Sequence, residues 1–149
     1  MIFLSKLLTE QRVVMLEETD KEGVLARLVH VLADSHVIHD ETGLLDAIRG
    51  RELIMSTGIG FGIAVPHAKI KTVDDVTLAV GVSQKGIQFG SLDDKPVHIV
   101  VMIAAGAEQQ DLYIRTLARV MLVLKNPKVR EKLIAAKTPG DVLKVFAAY

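Results

Sequence analysis

Gly58-Ile59-Gly60-Phe61-Gly62-Ile63-Ala64-Val65-Pro66-His67-Ala68-Lys69 packs three glycines, a short apolar run and a histidine into twelve residues. Glycine alone visits positive φ without steric cost, so Gly58, Gly60 and Gly62 predict a backbone that turns sharply and presents its N–H groups. Ile63, Ala64 and Val65 read as a short buried strand. Pro66 ends it, because proline cannot donate to a ladder. His67 stands at that break, oriented by rigid structure yet open to a visitor, and is the first candidate for a functional group.

Upstream of this stretch, residues 2–8 predict a short amphipathic turn and Arg12 to Leu16 a first strand. Asp20 is placed to cap a helix running to about Ala33, with Val24, Leu25, Leu28, Val31 and Leu32 at helical spacing. Asp40 caps a second helix, with Leu44, Leu45, Ile48 and Leu53 expected on its buried side. That helix brings Arg49, Arg51 and Glu52 to the edge of the glycine loop.

Downstream, Val76 to Val82 reads as a strand, and Ser83 to Pro96 as polar and turn-rich, with a short edge strand at Ile87 to Phe89. Val97 to Ala105 is almost continuously apolar, as expected of a central strand covered on both faces. Three helices follow. The first runs from about Glu108 to Leu124, with Tyr113, Leu117, Val120, Met121 and Leu124 in one stripe. The others open at Asn126-Pro127 and Thr138-Pro139, a cap followed by proline in the first turn. The last is docked by Val142, Leu143, Val145 and Phe146. The expected architecture is α/β: one domain over residues 1–149, a mixed sheet with helices on both faces.

Composition narrows the function. A chain of 149 residues, half of them hydrophobic, is long enough to bury roughly two-thirds of its unfolded surface. Eighteen basic residues balance eighteen acidic ones, and no basic stripe with interleaved aromatics gives nucleic-acid binding electrostatic support. The absence of cysteine excludes disulfides, thiol catalysis and thiolate metal sites. Met-Ile-Phe-Leu-Ser-Lys turns charged too soon for a signal peptide, and no apolar run approaches the roughly 20 residues of a membrane span. A cytoplasmic domain with no direct membrane insertion is the expectation.

Two familiar chemistries fit poorly. A dinucleotide-binding turn follows a strand and opens a helix, whereas these glycines follow a helical segment and enter a strand. His30, His36 and His39 lie close in sequence, but none share the i, i+4 spacing that puts two ligands on one helix face, and no metal site is expected. His36 and His39 fall in a turn, and His30 borders the apolar face of its helix. His98 reads as a hydrogen-bonded histidine of the central strand.

His67 differs because of its neighbours. An imidazole with pKa near 6.5 is largely neutral at physiological pH, and one nitrogen can be pinned to a carbonyl while the other attacks an electrophile. For a phosphoryl electrophile, loop N–H groups and the forked guanidinium of Arg51 would position and neutralise the oxygens. The residues alone leave open that Pro66-His67 merely closes a strand.

Glu52, six further residues, Ile59-Gly60, two more, and Ile63-Ala64-Val65-Pro66-His67-Ala68 together resemble the signature of the fructose/mannitol-type (type 2) EIIA family. These are components of the bacterial phosphoenolpyruvate-dependent phosphotransferase system. Arg51-Glu52 and Ser56-Thr57-Gly58-Ile59-Gly60 resemble its nitrogen-regulatory branch in particular. The resemblance implies that His67 accepts phosphate from HPr or a nitrogen-branch HPr-like carrier and passes it to a cysteine of an EIIB domain. It also implies that Arg51 steadies the phosphoryl oxygens and that no cofactor or metal is required, because the donor is already a phosphohistidine. With no cysteine in this chain, EIIB is expected on another polypeptide.

The sequence departs from the family pattern once. Many members carry a second active-site histidine in the first turn of the helix after the central strand, and here Tyr113 stands in its place. A phenol can donate one hydrogen bond to a phosphoryl oxygen but stays uncharged near neutrality; alternatively Tyr113 simply packs with Leu117 and Val120. Three functional classes follow: a phosphotransferase component feeding sugar uptake, a regulator whose phosphorylation at His67 changes binding of a target protein around Phe61, and a binding domain that shares the fold without phosphorylation. A homo-oligomer is compatible with all three.

Overall fold

The computed structural model describes residues 1–149 as a six-stranded mixed sheet with helices on both faces. Two 3-10 turns, Leu4–Lys6 and Glu10–Arg12, lead into strand β1 (Val13–Met15). Helices α1 (Lys21–Leu32) and α2 (Glu41–Ile54) follow, then β2 (Gly58–Gly60), β3 (Ile63–Ala64) and β4 (His67–Ile70). β5 (Thr77–Ile87) and β6 (Val97–Gly106) form the long central pair. α3 (Gln110–Leu124), α4 (Pro127–Ala135) and α5 (Pro139–Phe146) complete the chain.

The caps expected from sequence are in place. Asp20 accepts from Gly23 N, Asp40 from Gly43 N and Asn126 from Lys128 N, each satisfying an amide that the first helical turn leaves orphaned. Thr138 and Asp141 close a reciprocal capping box at α5. Leu44 and Ile48 are buried on α2, but Leu53 is 88% exposed, contrary to expectation. In the last turn Glu52 takes the inward position, and Leu53 and Ile54, with Met55 just beyond the helix, face solvent.

β6 lies at the centre, antiparallel to β5 and parallel to both β3 and β4. Its side chains alternate between the two layers, as period-2 geometry requires. Ile99, Val101 and Ile103 pack with α3, α4 and α5, whereas Val100, Met102 and Ala104 pack with α1 and α2. The region assigned to loop at Ser83 instead prolongs β5 to Ile87. Gly86, at φ +94°, and a register shift between Val82 and Ile87 let a polar segment stay on the ladder, so its outward residues read as a turn.

β3 and β4 are two parts of one line beside β6, in unchanged register: Ile63 lies opposite Ile99 and His67 opposite Ile103. The interruption falls at Val65-Pro66. Proline has no N–H to give, though its carbonyl still accepts from Ile103 N at 3.0 Å, and Val65 N turns outward to Thr57 O at 3.1 Å. β2 covers the outer edge of β3 and stops there. The outer edge of β4, which begins at His67, is left open.

Candidate functional site

His67 follows Ile63 and Val65 to the sheet face that carries α3, and it is half-buried. Its Nδ1 lies 2.7 Å from Val65 O. A carbonyl can only accept, so Nδ1 carries the hydrogen and Nε2 keeps its lone pair. The bend at Pro66 makes this contact possible by bringing the carbonyl two residues back within reach of the ring. The His67 pKa falls below its ordinary 6.5, chiefly through burial, with the nearby Arg51 charge acting in the same direction; the Val65 bond and Glu52 pull the other way. The neutral, nucleophilic imidazole is therefore the prevailing form at physiological pH.

Arg51 comes from the last turn of α2 and is partly buried. Its Nη1 donates to Met55 O at 3.0 Å, a contact that folds the side chain back over the helix end. Its charge is felt at both His67 and Tyr113, so one cation serves both rings. Tyr113 comes from the opposite layer, in the first turns of α3. Its ring centroid lies 5.8 Å from that of His67, at an interplanar angle of 56°. Burial pushes the phenol pKa up to about 12, so the hydroxyl remains a donor throughout the physiological range. The structure thus brings His67, Arg51 and Tyr113 to one place from three separate elements.

The glycine loop is held by a network that sequence reasoning missed. Glu52 is only 7% exposed. It accepts from Thr57 N at 3.0 Å and from the Thr57 hydroxyl, and pairs with Lys21 Nζ at 2.9 Å. Lys21 in turn lies over the Phe89 ring, 4.8 Å from its centroid. A buried carboxylate needs such partners, and these lock the end of α2 to the entry of β2. The signal available in the sequence was a carboxylate next to Arg51, four residues after the buried Ile48 and so on the inward side of the helix.

The glycines divide their work differently from the expectation. Gly60 and Gly62 have φ of +101° and +73°, but Gly58 does not adopt positive φ. Gly58 is required for close approach instead: a Cβ there would come within 2.9 Å of Ser91 Cα, while its carbonyl accepts from Leu92 N and the Ser91 hydroxyl. The third left-handed position is Phe61, at φ +58° and 68% exposed. Phe61, Leu53, Ile54, Met55 and Ile114 supply exposed apolar surface from the glycine loop, the end of α2 and the start of α3.

The remaining histidines do not converge. His30 is solvent-exposed against Glu41 at 3.1 Å, rather than bordering the apolar face of α1. His39 pairs with Asp74. His98 is partly buried with Nδ1 at 2.8 Å from Ser83 O, as a hydrogen-bonded strand histidine should be. No helix is long and apolar enough to cross a membrane.

Comparison with known proteins places this geometry in a lineage. Residues 6–149 match the family model of the phosphoenolpyruvate-dependent sugar phosphotransferase system, EIIA 2. The fructose-specific EIIA component of Haloferax volcanii is 35% identical over 142 residues, covering 94% of this chain and 92% of that protein. The fructose-specific EIIABC component of Bacillus subtilis is 34% identical over 144 residues; this chain is covered to 96% and spans 23% of that longer protein. Among solved structures, the nitrogen regulatory protein IIA-Ntr of Neisseria meningitidis superposes with a TM-score of 0.88 at 20% identity, covering 97% of this chain and 99% of that one. A complex of enzyme IIA-mannitol with phosphorylated enzyme IIB-mannitol from Escherichia coli matches with a TM-score of 0.80 at 21% identity, over 95% and 98% of the two chains. At such identities the structural matches speak for the fold, and the family follows from the sequence match over nearly the whole chain. The chain belongs to the type 2 EIIA family of the phosphoenolpyruvate-dependent sugar phosphotransferase system.

Proposed function

We propose that Nε2 of His67 accepts a phosphoryl group from the phosphohistidine of an HPr-type carrier and holds it for an EIIB cysteine or as a regulatory mark. The observation that carries the proposal is the Nδ1 contact with Val65 O, which leaves Nε2 as the nucleophile of a neutral ring on an open strand edge. The Nε2 lone pair forms the new N–P bond as the donor's N–P bond breaks, and the donor imidazole leaves with that electron pair. Nδ1 keeps its hydrogen, and Val65 O stabilises the positive character that the ring acquires. Arg51 neutralises the transferred oxygens. The Tyr113 hydroxyl donates one hydrogen bond to them, in place of a second histidine. Donor and acceptor are chemically alike, so transfer is governed by positioning and charge rather than by a large driving force.

Surface chemistry supports a protein on each side of the exchange. Leu53, Ile54, Met55, Phe61 and Ile114 offer apolar contact beside a half-buried reactive group. The complex of mannitol enzymes IIA and IIB, a structural relative, supports EIIB as the acceptor. The likeness to IIA-Ntr favours a second reading, in which about −2 of added charge at this apolar surface switches a target protein on or off.

Incubation with phosphoenolpyruvate, enzyme I and an HPr-type carrier should add one acid-labile, base-stable phosphate, and His67→Ala should take up none. Label retained by that variant refutes the assignment. Onward transfer to EIIB identifies a phosphocarrier. Absence of transfer, together with target binding that depends on phosphorylation, identifies a regulator.

A further inference from the structure

Between the glycine loop and the turn that leads into β6 is a cavity of about 590 Å³ that the chemistry of His67 does not use. One wall is the loop itself, residues 59–62, and the other is Asp93, Lys95, Pro96 and His98. Its volume falls in the range of small-molecule sites.

Its polar groups have settled roles. His98 Nδ1 donates to Ser83 O at 2.8 Å, so Nε2 is the ring's free nitrogen and can only accept while the ring is neutral. Two left-handed glycines flank this ring. A Cβ at Gly62 would lie 3.6 Å from its Cδ2, and one at Gly86 would lie 3.3 Å from its Cε1. Neither neighbour has a side chain to cover the imidazole. Asp93 accepts from Lys95 N at 3.0 Å, and chiefly for that reason its carboxyl stays below its ordinary pKa and is ionised. The Lys95 ammonium contributes to the same effect without closing an ion pair. The apolar part of the lining is Ile59, Phe61 and Pro96. Phe61 is held from behind by Arg130, whose guanidinium is 4.9 Å from the ring centroid and is itself fixed by Leu124 O and Lys125 O.

We infer that this cavity binds a small hydroxylated anion: a polyol bearing one phosphate or carboxylate group. Two acceptors, Asp93 and His98 Nε2, require donors from the ligand, and hydroxyl groups supply them. Lys95 supplies the counter-charge for one acidic group. Phe61 and Pro96 offer a surface for the C–H face of such a ligand. A bare inorganic anion is repelled by Asp93, and an uncharged polyol leaves Lys95 unused. The inference is independent of phosphoryl transfer at His67.

The test is a titration of the ¹⁵N-labelled chain, following the amides of Gly60, Phe61 and Lys95, with glucose 6-phosphate, gluconate, glucitol and inorganic phosphate in separate arms. Glucose 6-phosphate, gluconate or both should shift these amides saturably with a Kd below about 1 mM, and the stronger arm names the acidic group. Glucitol and inorganic phosphate should bind at least about tenfold more weakly. Lys95→Met, a surface change that leaves folding intact, and His98→Leu should each weaken binding by about tenfold, whereas His67→Ala should not. No saturable shift up to about 10 mM in any arm overturns the inference. So does an equal response to inorganic phosphate, or undiminished binding by Lys95→Met.

Discussion

His67 and His98 are both strand histidines whose Nδ1 lies against a backbone carbonyl, Val65 O at 2.7 Å and Ser83 O at 2.8 Å. Each therefore has a fixed tautomer and a free Nε2, and each is partly buried at one side of the same glycine loop. What separates them is their company. His67 has a cation and a protonated phenol beside it. His98 has a carboxylate and a lysine of opposite charges, and a walled cavity. On the two proposals, a pinned imidazole is a general part, and the charge around it fits one copy to transfer of a phosphoryl group and the other to recognition of hydroxyl groups.

The largest expected break of this contrast is Arg51→Ala. Removing a preorganised cation from the transferring oxygens should slow phosphorylation of His67 by about 100-fold, while His98→Gln changes it less than about twofold. Time courses of labelling check both, and an equal loss in the two variants would erase the distinction. Next in size is Glu52→Ala, which strands Lys21 and the Thr57 amide at the base of the loop. Its expected cost is about 3 kcal/mol in urea unfolding, and a loss under about 1 kcal/mol would show that the buried network does not hold the loop.

A smaller effect belongs to Tyr113. Tyr113→Phe removes the hydroxyl and keeps the ring, so the phosphorylated form should be hydrolysed or discharged about tenfold faster without loss of folding stability. Tyr113→His should lengthen its lifetime by adding a second charged donor. No change in either variant would reduce Tyr113 to packing. The smallest effect is in pH. Folded His67 binds its proton less readily than the unfolded chain, so the midpoint of the labelling rate should lie below 6.5 and stability should fall as pH drops from 6.5 toward that midpoint. A labelling midpoint at or above 6.5 would contradict the burial argument.

Much of this was legible in the sequence. Helices α1, α2, α4 and α5 were readable from caps and spacing and α3 from its apolar stripe, because an N-cap and a 3.6-residue stripe are local signals. β6 was readable because a run of apolar residues that long has few other uses. β2 and β4 were not, since strands of three and four residues leave no periodicity to detect; β2 is a short arm folded back on β3, and β4 owes its existence to β6, far away in sequence. The prolonged β5 was hidden by polar residues that face outward beside Gly86. At the candidate site, the signature stretch marks His67 and Arg51, while the meeting of Tyr113 with His67 is set by tertiary packing of α3 against the sheet. Glu52 could be read as part of a pattern, but its bond to Thr57 and its pairing with Lys21 required the fold.

The central claim is that Nε2 of His67 carries the phosphate while Nδ1 stays on Val65 O. ¹⁵N–³¹P correlation on the histidine-labelled, phosphorylated chain tests it directly. The account predicts a single phosphorus coupled to Nε2 of His67, with a protonated Nδ1 and an unmodified His98. Phosphorus on Nδ1 of His67, or on any other side chain, would contradict it.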